Sequence, residues 1–280
     1  MQSPKKLFTL IDSIEDLYYL NKELSLKPYV GIDTEFRRTN KYNMKLALLQ
    51  INDDEEIYLI DTILIPDPKD SCDFLFSDTV IKIFHSCKED LEAVYAWGGR
   101  AMSNLFDTQL ANAFLNGDFS ISYQGLIKDK FDISINKSET RSNWVRRPLT
   151  DSQLDYAASD VEFLVHLYTN QKKELIESKK IEWHNEEVQS IIDSTFSSAN
   201  LEQDLNFKIT KSEERDLLFK FNEIVKNIAL TEEINPTLFF SKKNQKEFLK
   251  LSLNNGIEEA SKLLTNWRRD LIFSSLKEIF

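Results

Sequence analysis

The sequence YVGIDTEFRRTNKYNMKLALLQINDDEEIYLID, residues 29–61, contains three apolar runs separated by short polar segments. The runs predict strands at 29–36, 44–51 and 56–61. Because only a few residues connect them, we expect the strands to pair as an antiparallel meander. A fourth, buried strand is predicted at 80–84, followed by a helix over 88–97 that ends at Gly98-Gly99. This order of elements is typical of a mixed α/β domain.

A capping box predicts the clearest helix start in the chain, at Thr150-Asp-Ser-Gln153. Apolar residues then recur on one helical face, so a single helix is expected from Thr150 to Tyr168. Asp107 is predicted to cap a shorter helix. From Thr210 onward the pattern is helical throughout. We therefore predict an α/β domain over 1–170, a connecting helix and linker over 171–205, and a small all-helical domain over 206–280.

The composition is typical of a globular protein in a reducing compartment. Of the 280 residues, 41% are hydrophobic and 29% are charged. No apolar run reaches the length of about 20 residues that a membrane-spanning helix needs, and the N-terminus has no signal-peptide pattern. Cys72 and Cys87 are the two cysteines, too few for a disulfide framework or a thiolate zinc site. These features predict a cytoplasmic protein that does not associate with membranes.

The net charge of −11 is opposite in sign to that expected of a nucleic-acid-binding protein. The first 190 residues hold 22 Lys and Arg against 32 Asp and Glu, a difference of −10. One interpretation is a solvated acidic surface. The other is that some carboxylates face inward and hold cations, which would then meet an anionic substrate.

Two pairs of residues and one further acid could carry chemistry. Asp33 and Glu35 lie two apart on the first predicted strand and share a face; they could bind metal or, on an edge strand, lie in water. Tyr156 and Asp160 lie four apart on the capped helix and also share a face, although such pairs are common on helix surfaces. Asp90 follows the fourth strand, where it could instead be a first-turn acid favoured by the helix dipole.

Taken together, these residues supply four carboxylates and a phenol from one α/β domain. Oxygen ligands without a Cys or His cluster favour Mg²⁺ or Mn²⁺ over zinc. Two such ions about 3.5–4 Å apart are a common device for displacement at phosphorus. The sequence therefore predicts two divalent metal ions, Mg²⁺ or Mn²⁺, and their charge would let an acidic domain accept a phosphodiester.

Five segments of the chain, in order, resemble the ribonuclease D family, in the tyrosine-type subclass of the DEDD 3′→5′ exonucleases. They are GIDTEF (31–36), HSCKEDLEAV (85–94), FDTQLANAFL (106–115), KSETRSNW (137–144) and RPLTDSQLDYAASDVEFLVHLY (147–168). The resemblance implies a ribonuclease H-like fold for the α/β domain, with a mixed sheet flanked by helices.

The resemblance also implies a role for each candidate. Asp33 would bridge both metals, and Glu35 and Asp160 would complete the site that holds the attacking water. Asp90 would support the second metal, and Tyr156 would orient the water by a hydrogen bond. The phenol of Tyr156, with an ordinary pKa near 10, need not be the base.

Further residues could contact RNA. Lys137, Arg141 and Trp144 lie in a basic stretch, which also contains Arg146 and Arg147, that could hold phosphates and stack a base or could be a solvated loop. Phe36 could wedge against the terminal base or belong to the core. His85 begins an H-x-x-x-x-D pattern used by the histidine-type subclass, but it precedes Tyr156 and Asp160, so we expect a structural or substrate-adjacent role.

The C-terminal region resembles a single HRDC domain, the helical nucleic-acid-binding module found in ribonuclease D. The segments concerned are FNEIVKNIALTEEINPTLFFSKKNQKEFLK (221–250) and NWRRDLIFSSL (266–276). Its candidate phosphate contacts are Lys242, Lys243, Lys246, Lys250, Arg268 and Arg269. Because residues after 190 carry 13 bases and 14 acids, we expect weak and salt-dependent binding.

The expected function is that of a 3′→5′ exoribonuclease that trims RNA 3′ ends. The expected substrates are tRNA precursors with 3′ trailers, hydrolysed with two metal ions to release nucleoside 5′-monophosphates; no obligate protein partner is evident. A DNA 3′→5′ exonuclease of the same superfamily is the nearest alternative. A noncatalytic RNA-binding protein that kept the fold is the alternative from another class.

Overall fold

The computed structural model describes residues 8–40, 43–135, 138–196 and 209–279. Their internal contacts divide them into two compact units, drawn from interleaved stretches of the chain. The first comprises the described parts of Met1–Gln109, Ile121–Lys173 and Ile191–Phe196, and the second those of Leu110–Ser120, Glu174–Ser190 and Ser197–Phe280. The boundaries predicted at 170 and 205 stay a prediction.

The first unit is built on a six-stranded mixed sheet with the strand order β1-β4-β3-β2-β5-β6. The strands are β1 (Thr9–Ile11), β2 (Tyr29–Asn40), β3 (Asn43–Asn52), β4 (Ile57–Ile60), β5 (Ile81–Phe84) and β6 (Leu105–Asp107). The pairs β2–β3 and β3–β4 are antiparallel, which confirms the predicted meander. The pairs β1–β4, β2–β5 and β5–β6 are parallel. β1 and β6 have three residues each, too few to show an alternating pattern in the sequence.

Helices make up most of the remaining described chain. They are α1 (Ile14–Leu24), α2 (Lys88–Gly98), α3 (Thr108–Phe114), α4 (Tyr123–Phe131), α5 (Asp151–Val161), α6 (Leu164–Glu177), α7 (Ile181–Phe196), α8 (Lys211–Thr231), α9 (Pro236–Phe240), α10 (Lys242–Asn255), α11 (Ile257–Ser261) and α12 (Asn266–Lys277). The Asp107 carboxylate accepts a hydrogen bond from the Gln109 backbone N–H at 2.8 Å, so it caps α3 as predicted. No helix within the described ranges has the length and apolar character needed to cross a bilayer.

The core of the first unit lies around β3. Every residue from Leu46 to Asn52 is buried, because the central strand is covered on both faces. Ile32 of β2 and Leu59 of β4 lie in the same interior. Each buried aliphatic side chain of this kind contributes roughly 1.5–3 kcal/mol to folding. This packing fixes β2, the strand that carries Asp33 and Glu35.

The helix predicted from Thr150 to Tyr168 is two helices in the structure. The predicted capping box of Thr150 and Gln153 is confirmed at the start of α5, but α5 ends at Val161 and α6 begins at Leu164. Asn52 Nδ2 donates to the backbone carbonyls of Val161 and Glu162, both at 3.0 Å. These carbonyls are satisfied from β3, so the chain can leave the helical path without leaving polar groups unpaired.

Glycine is required where β2 passes beneath this break. A Cβ atom at Gly31 would lie 2.9 Å from Leu164 Cβ, closer than two such atoms approach in proteins. The Phe163 backbone N–H donates to the Tyr123 hydroxyl at 2.9 Å, which ties the same break to α4. The last turn of α5 is therefore held against β2, β3 and α4 together.

The second unit has an aromatic core formed by its helices and by residues 110–120 and 174–190. The Phe239 and Trp267 ring centroids are 5.6 Å apart, and Trp267 stacks on Trp183 at 5.5 Å. The Arg268 guanidinium pairs with Glu187 and donates to two backbone carbonyls of α9. Arg268 is thus held within this unit, and its predicted phosphate contact is not supported.

Candidate active site

An open cavity of about 200 Å³ lies in the first unit above the carboxyl-terminal half of α5. Its lining residues are Asp33, Glu35, His85, Tyr123, Gln124, Thr140, Tyr156, Asp160 and Leu164. They come from β2, α4, α5 and the start of α6, from the segment directly after β5, and from the segment before α5. Four of the five predicted catalytic residues therefore line one cavity, although they lie up to 127 positions apart in the sequence.

Three carboxylates converge in this cavity. One oxygen each from Asp33, Glu35 and Asp160 lies within 4.8 Å of the other two. β2 lies between β3 and β5, so the alternative that the two acids sit on an edge strand is wrong. Burial is the main cause that raises the pKa of Asp33 well above its ordinary value and that of Glu35 to about 9. Repulsion among the neighbouring carboxylates raises both pKa values further.

The donor set fits a divalent metal ion. Two half-buried carboxylates, Asp33 and Glu35, and the buried Asp160 offer hard oxygen ligands, which suit Mg²⁺ or Mn²⁺. Like charges at this separation are unfavourable unless the carboxyls are protonated or a cation lies among them. Asp33, Glu35 and Asp160 could therefore hold such an ion.

Asp90 lies beside this group and outside it. It is 7% exposed in the first turn of α2, and Thr34 Oγ1 donates to its carboxylate at 2.5 Å. Burial raises the pKa of Asp90 to about 7, although the hydrogen bond from Thr34 opposes that rise. The charge of Asp90 in turn raises the pKa of Asp33 and of Glu35. It is near enough to couple electrostatically with both.

Tyr156 lies one helical turn before Asp160 on α5. Its hydroxyl is 3.2 Å from Thr140 Oγ1, and its ring packs against Trp144 with the centroids 6.0 Å apart. Burial and the charge of Asp160 raise the pKa of Tyr156 above its usual value. The phenol therefore remains protonated at neutral pH, so it can act as a hydrogen-bond donor beside Asp160.

Gln124 and Thr140 are two cavity residues that the sequence analysis did not single out. Gln124 Nε2 donates to Asp160 at 3.2 Å, and Thr140 lies beside the Tyr156 hydroxyl. Neither shows a spacing pattern with its partner, because the contacts join different segments. The sequence signal for Thr140 was its position in segment 137–144, one of the five segments that resemble the family. No sequence signal pointed to Gln124.

His85 lies on the wall of the cavity with both ring nitrogens engaged. Nδ1 is 2.9 Å from Thr108 Oγ1, and Nε2 is 3.0 Å from the Ile121 carbonyl oxygen. Burial lowers the pKa of His85, so the ring stays neutral and the nitrogen facing Ile121 carries the proton. This geometry gives His85 a fixed orientation beside the acids.

The predicted RNA contacts are dispersed. Trp144 is 4% exposed in a core cluster with Leu48 and Leu59, so it has no free ring face for a base and the stacking role is not supported. Phe36 is half-buried and does not line the cavity. Arg141 is exposed, and Lys137 lies outside the described residues.

Arg147, part of the same basic stretch, has a structural role instead. It forms a two-pronged pair with the buried Asp61 at 2.5 and 2.7 Å and donates to the Trp144 and Ala47 carbonyls. Ala47 lies at a β-bulge directly opposite the step from Glu35 to Phe36, where the strand register shifts. Arg147 thereby anchors the segment that carries Thr140 and Trp144.

Comparison with known proteins gives a family match over most of the first unit. A family model described as 3′-5′ exonuclease matches residues 8–176. A curated relative named ribonuclease D, from Pseudomonas paraeruginosa, is 39% identical over 159 residues, which are 57% of this chain and 42% of the relative. A second of that name, from a Shewanella species, is 33% identical over 196 residues, 70% of this chain and 50% of the relative. The chain spans about half the length of these curated relatives.

Solved structures confirm the fold. Escherichia coli RNase D matches 98% of this chain and 74% of its own, with a TM-score of 0.64 and 22% identity. The catalytic core of RRP6 from Trypanosoma brucei matches 98% and 79%, with a TM-score of 0.63 and 19% identity. Brucella melitensis NrnC with bound Mg²⁺ matches 72% and 100%, with a TM-score of 0.59 and 20% identity. The predicted α/β, ribonuclease H-like fold with its helical C-terminal region is thereby confirmed.

Proposed function

Because the chain belongs to the 3′-5′ exonuclease family, we propose that it is a ribonuclease D-type exoribonuclease that removes nucleotides from RNA 3′ ends. The observation that carries the proposal is the convergence of Asp33, Glu35 and Asp160 beside Tyr156 in one cavity of the matched region. The names of the curated relatives, ribonuclease D, support RNA as the substrate. A Trypanosoma brucei RNase D, 17% identical with a TM-score of 0.59, was solved in complex with RNA.

The catalytic set in this proposal is Asp33, Glu35, Asp90, Tyr156 and Asp160. Asp33, Glu35 and Asp160 would hold divalent metal, with Asp90 supporting a second ion. When bound, two such ions supply positive charge that activates water and offsets the charge developing on the phosphodiester. Gln124 would keep Asp160 oriented, since its amide donates to that carboxylate.

Tyr156 would hold the attacking water. Its protonated hydroxyl is fixed beside Thr140, and its ring is immobilised against Trp144. The oxygen of the water forms a bond to the terminal phosphorus, and the bond from phosphorus to the 3′ oxygen of the preceding nucleotide breaks. That 3′ oxygen leaves with a proton, so the products are a nucleoside 5′-monophosphate and an RNA shorter by one nucleotide.

The biological substrate we propose is a tRNA precursor with a 3′ trailer. The second unit would contribute a nucleic-acid-binding surface of the HRDC type. Its lysines remain the candidate phosphate contacts there: Lys242, Lys243 and Lys246 are exposed, and Lys250 is half-buried.

The test is a time course on a 5′-labelled tRNA that carries a short 3′ trailer, with Mg²⁺, Mn²⁺ or EDTA. We expect a ladder that shortens from the 3′ end only when metal is present. Asp33→Asn should reduce the rate by at least about 100-fold because it removes a ligand and a charge. The exposed Asp129→Asn, the same chemical change on the surface of α4, should leave the rate unchanged.

A parallel reaction contains a DNA oligomer with the same 3′ sequence. Equal trimming of DNA and RNA would favour the DNA exonuclease instead. Binding of RNA without any shortening, in either metal, would favour the noncatalytic RNA-binding protein.

A further inference from the structure

The face of the sheet that carries the acidic cluster continues into two cationic residues. Along β2, Thr34 and Arg38 face α2, as their bonds to Asp90 and Glu92 demonstrate. Asp33 and Glu35 face the opposite way, into the cavity. By the same alternation Arg37 lies on the cavity face, two residues beyond Glu35 and about 7 Å along the strand.

Arg37 directly opposes Lys45 in the antiparallel pairing of β2 with β3. Opposed residues project to the same face, so the two positive side chains are neighbours, and both are exposed. Like charges in this arrangement destabilise a strand pair. Within the described ranges neither side chain forms a salt bridge with an acid.

The adjacent Arg38 behaves differently. It reaches Glu92 at 2.5 Å and Glu89 at 3.4 Å, so its charge is neutralised by α2. Acids are abundant in this part of the chain, with 32 against 22 bases in the first 190 residues. The unneutralised pair of Arg37 and Lys45 is therefore a local exception, and it lies beside the carboxylates that would act on a phosphodiester.

We propose that Arg37 and Lys45 form a subsite that binds a backbone phosphate of the RNA strand on the 5′ side of the bond being cleaved. This rests on the proposed function. An advance of about 7 Å from Glu35 corresponds to about two nucleotides, because successive stacked nucleotides of one strand lie about 3.4 Å apart along its axis. The guanidinium of Arg37 can hold two phosphate oxygens at once, and Lys45 adds a second point charge.

The subsite explains how an acidic domain can retain a strand. The metal site would accept the terminal phosphodiester, and Arg37 with Lys45 would hold a phosphate on the 5′ side of it. Contacts to phosphate position a strand without reading its sequence, so the subsite should serve any RNA 3′ end. A dinucleotide, whose single internal phosphate is the one cleaved, should gain nothing from it.

The test uses the full chain with Arg37→Gln and Lys45→Gln combined, and Arg38→Gln as the matched control on the opposite face. Binding of a fluorescent octanucleotide RNA is measured with Mg²⁺ in an Asp33→Asn background, which prevents cleavage, across a NaCl series. We expect the double variant to bind about 10-fold more weakly at low salt. The slope of log K against log [NaCl] should fall by about 0.7 for each lost phosphate contact, and the control should match the parent.

Hydrolysis of a dinucleotide and of an octanucleotide is then compared for the parent, the double variant and Arg38→Gln, all of which retain Asp33. The double variant should raise KM for the octanucleotide and leave dinucleotide hydrolysis unchanged. Equal losses in the double variant and in Arg38→Gln would overturn the subsite, because a general charge effect would account for them. A fall in dinucleotide hydrolysis or in Tm would overturn it as well, since the residues would then support the strand pair.

The outcome separates this inference from the proposed function. If the parent chain cleaves no oligonucleotide, the proposed function fails. A length-dependent loss of RNA binding in the double variant alone would still establish Arg37 and Lys45 as a phosphate-binding pair.

Discussion

Glu35 is a carboxyl group whose ionisation is opposed both by burial and by the neighbouring acids. Its pKa is raised to about 9, first by burial and then by Asp160 and Asp90. A carboxyl that binds its proton more tightly in the folded protein than in the unfolded chain makes stability fall as pH rises. The loss begins above the ordinary Glu value near 4.5 and is complete above about 9.

We predict that Glu35→Gln stabilises the metal-free protein at pH 8 and has little effect near pH 4.5. The amide has no charge to bury, so the penalty that grows with pH in the parent is absent. At pH 8 the gain should be on the order of 2 kcal/mol, about 4–8 °C in Tm for a chain of this size. The measurement is thermal unfolding in EDTA at several pH values.

The exposed Glu174→Gln on α6 is the control for the chemical change itself. Adding Mg²⁺ should raise the Tm of the parent more than that of Glu35→Gln, since the variant lacks one ligand charge. A Tm difference for Glu35→Gln that stays constant from pH 4.5 to pH 8 would contradict the raised pKa.

The sequence predicts part of this site for a clear physical reason. A spacing of two on a strand and of four on a helix fixes which side chains share a face, so the pairs Asp33–Glu35 and Tyr156–Asp160 follow from local geometry. Gln124 and Thr140 could not be found in this way, because each meets its partner only after distant segments have packed. The stacking role predicted for Trp144 is not supported, because the basic and aromatic composition of a segment does not reveal which of its side chains are buried.

A side chain of β3 satisfies two backbone carbonyls at the break between α5 and α6. Asn52 donates to the Val161 and Glu162 carbonyls and accepts from the Asp54 backbone N–H at 2.8 Å. Asp160 lies immediately before the break. The same contacts that end the helix therefore set the direction in which this carboxylate enters the cavity.

We predict that Asn52→Leu lowers the free energy of unfolding by roughly 2–4 kcal/mol, because two buried carbonyls lose their donor. In a chain of this size that corresponds to a Tm about 5–15 °C lower. Any RNA-trimming activity should fall as well, since Asp160 loses its fixed position. Thermal unfolding and the trimming rate, both measured with Mg²⁺, test this.

Asn143→Leu, at an exposed position before α5, is the matched control and should change the Tm by less than about 2 °C. An Asn52→Leu variant with the parent's Tm would show that the break holds without its donor. The sequence could not reveal this break, because the apolar stripe continues in helical register through it. What ends α5 is a hydrogen-bond donor about 110 positions earlier in the chain.

For the molecule as a whole, the acidic charge balance is compatible with a cavity that accepts an anionic substrate. The first 190 residues carry a net −10, yet three of their acids face one cavity where cations would reverse the local field. Arg37 on β2 and Lys45 on β3 would extend that positive region along the strand pair. A net charge counted over the sequence therefore says little about an anionic substrate until the positions of the charges are known.

The second unit takes residues from three separate stretches of the chain, which has a consequence for deletion. Lys180 Nζ donates to the carbonyls of Phe114 and Glu233 at 3.1 and 2.9 Å. The Phe114 ring lies 5.1 Å from that of Trp267. Residues before position 190 are thus buried by residues after position 208, and the C-terminal helices do not form the second unit alone.

We predict that deleting residues 206–280 destabilises what remains, with a Tm at least about 10 °C lower, because Phe114 and Lys180 lose the groups that bury and pair them. Trp267→Ala in the full chain should reproduce roughly 3–5 kcal/mol of this loss, as removal of a buried aromatic side chain does. Thermal unfolding and limited proteolysis of the three proteins make the comparison. If the shortened protein kept the Tm of the full chain and trimmed short RNA at the full rate, the boundary predicted at 205 would mark a separable domain and these contacts would contribute nothing to stability.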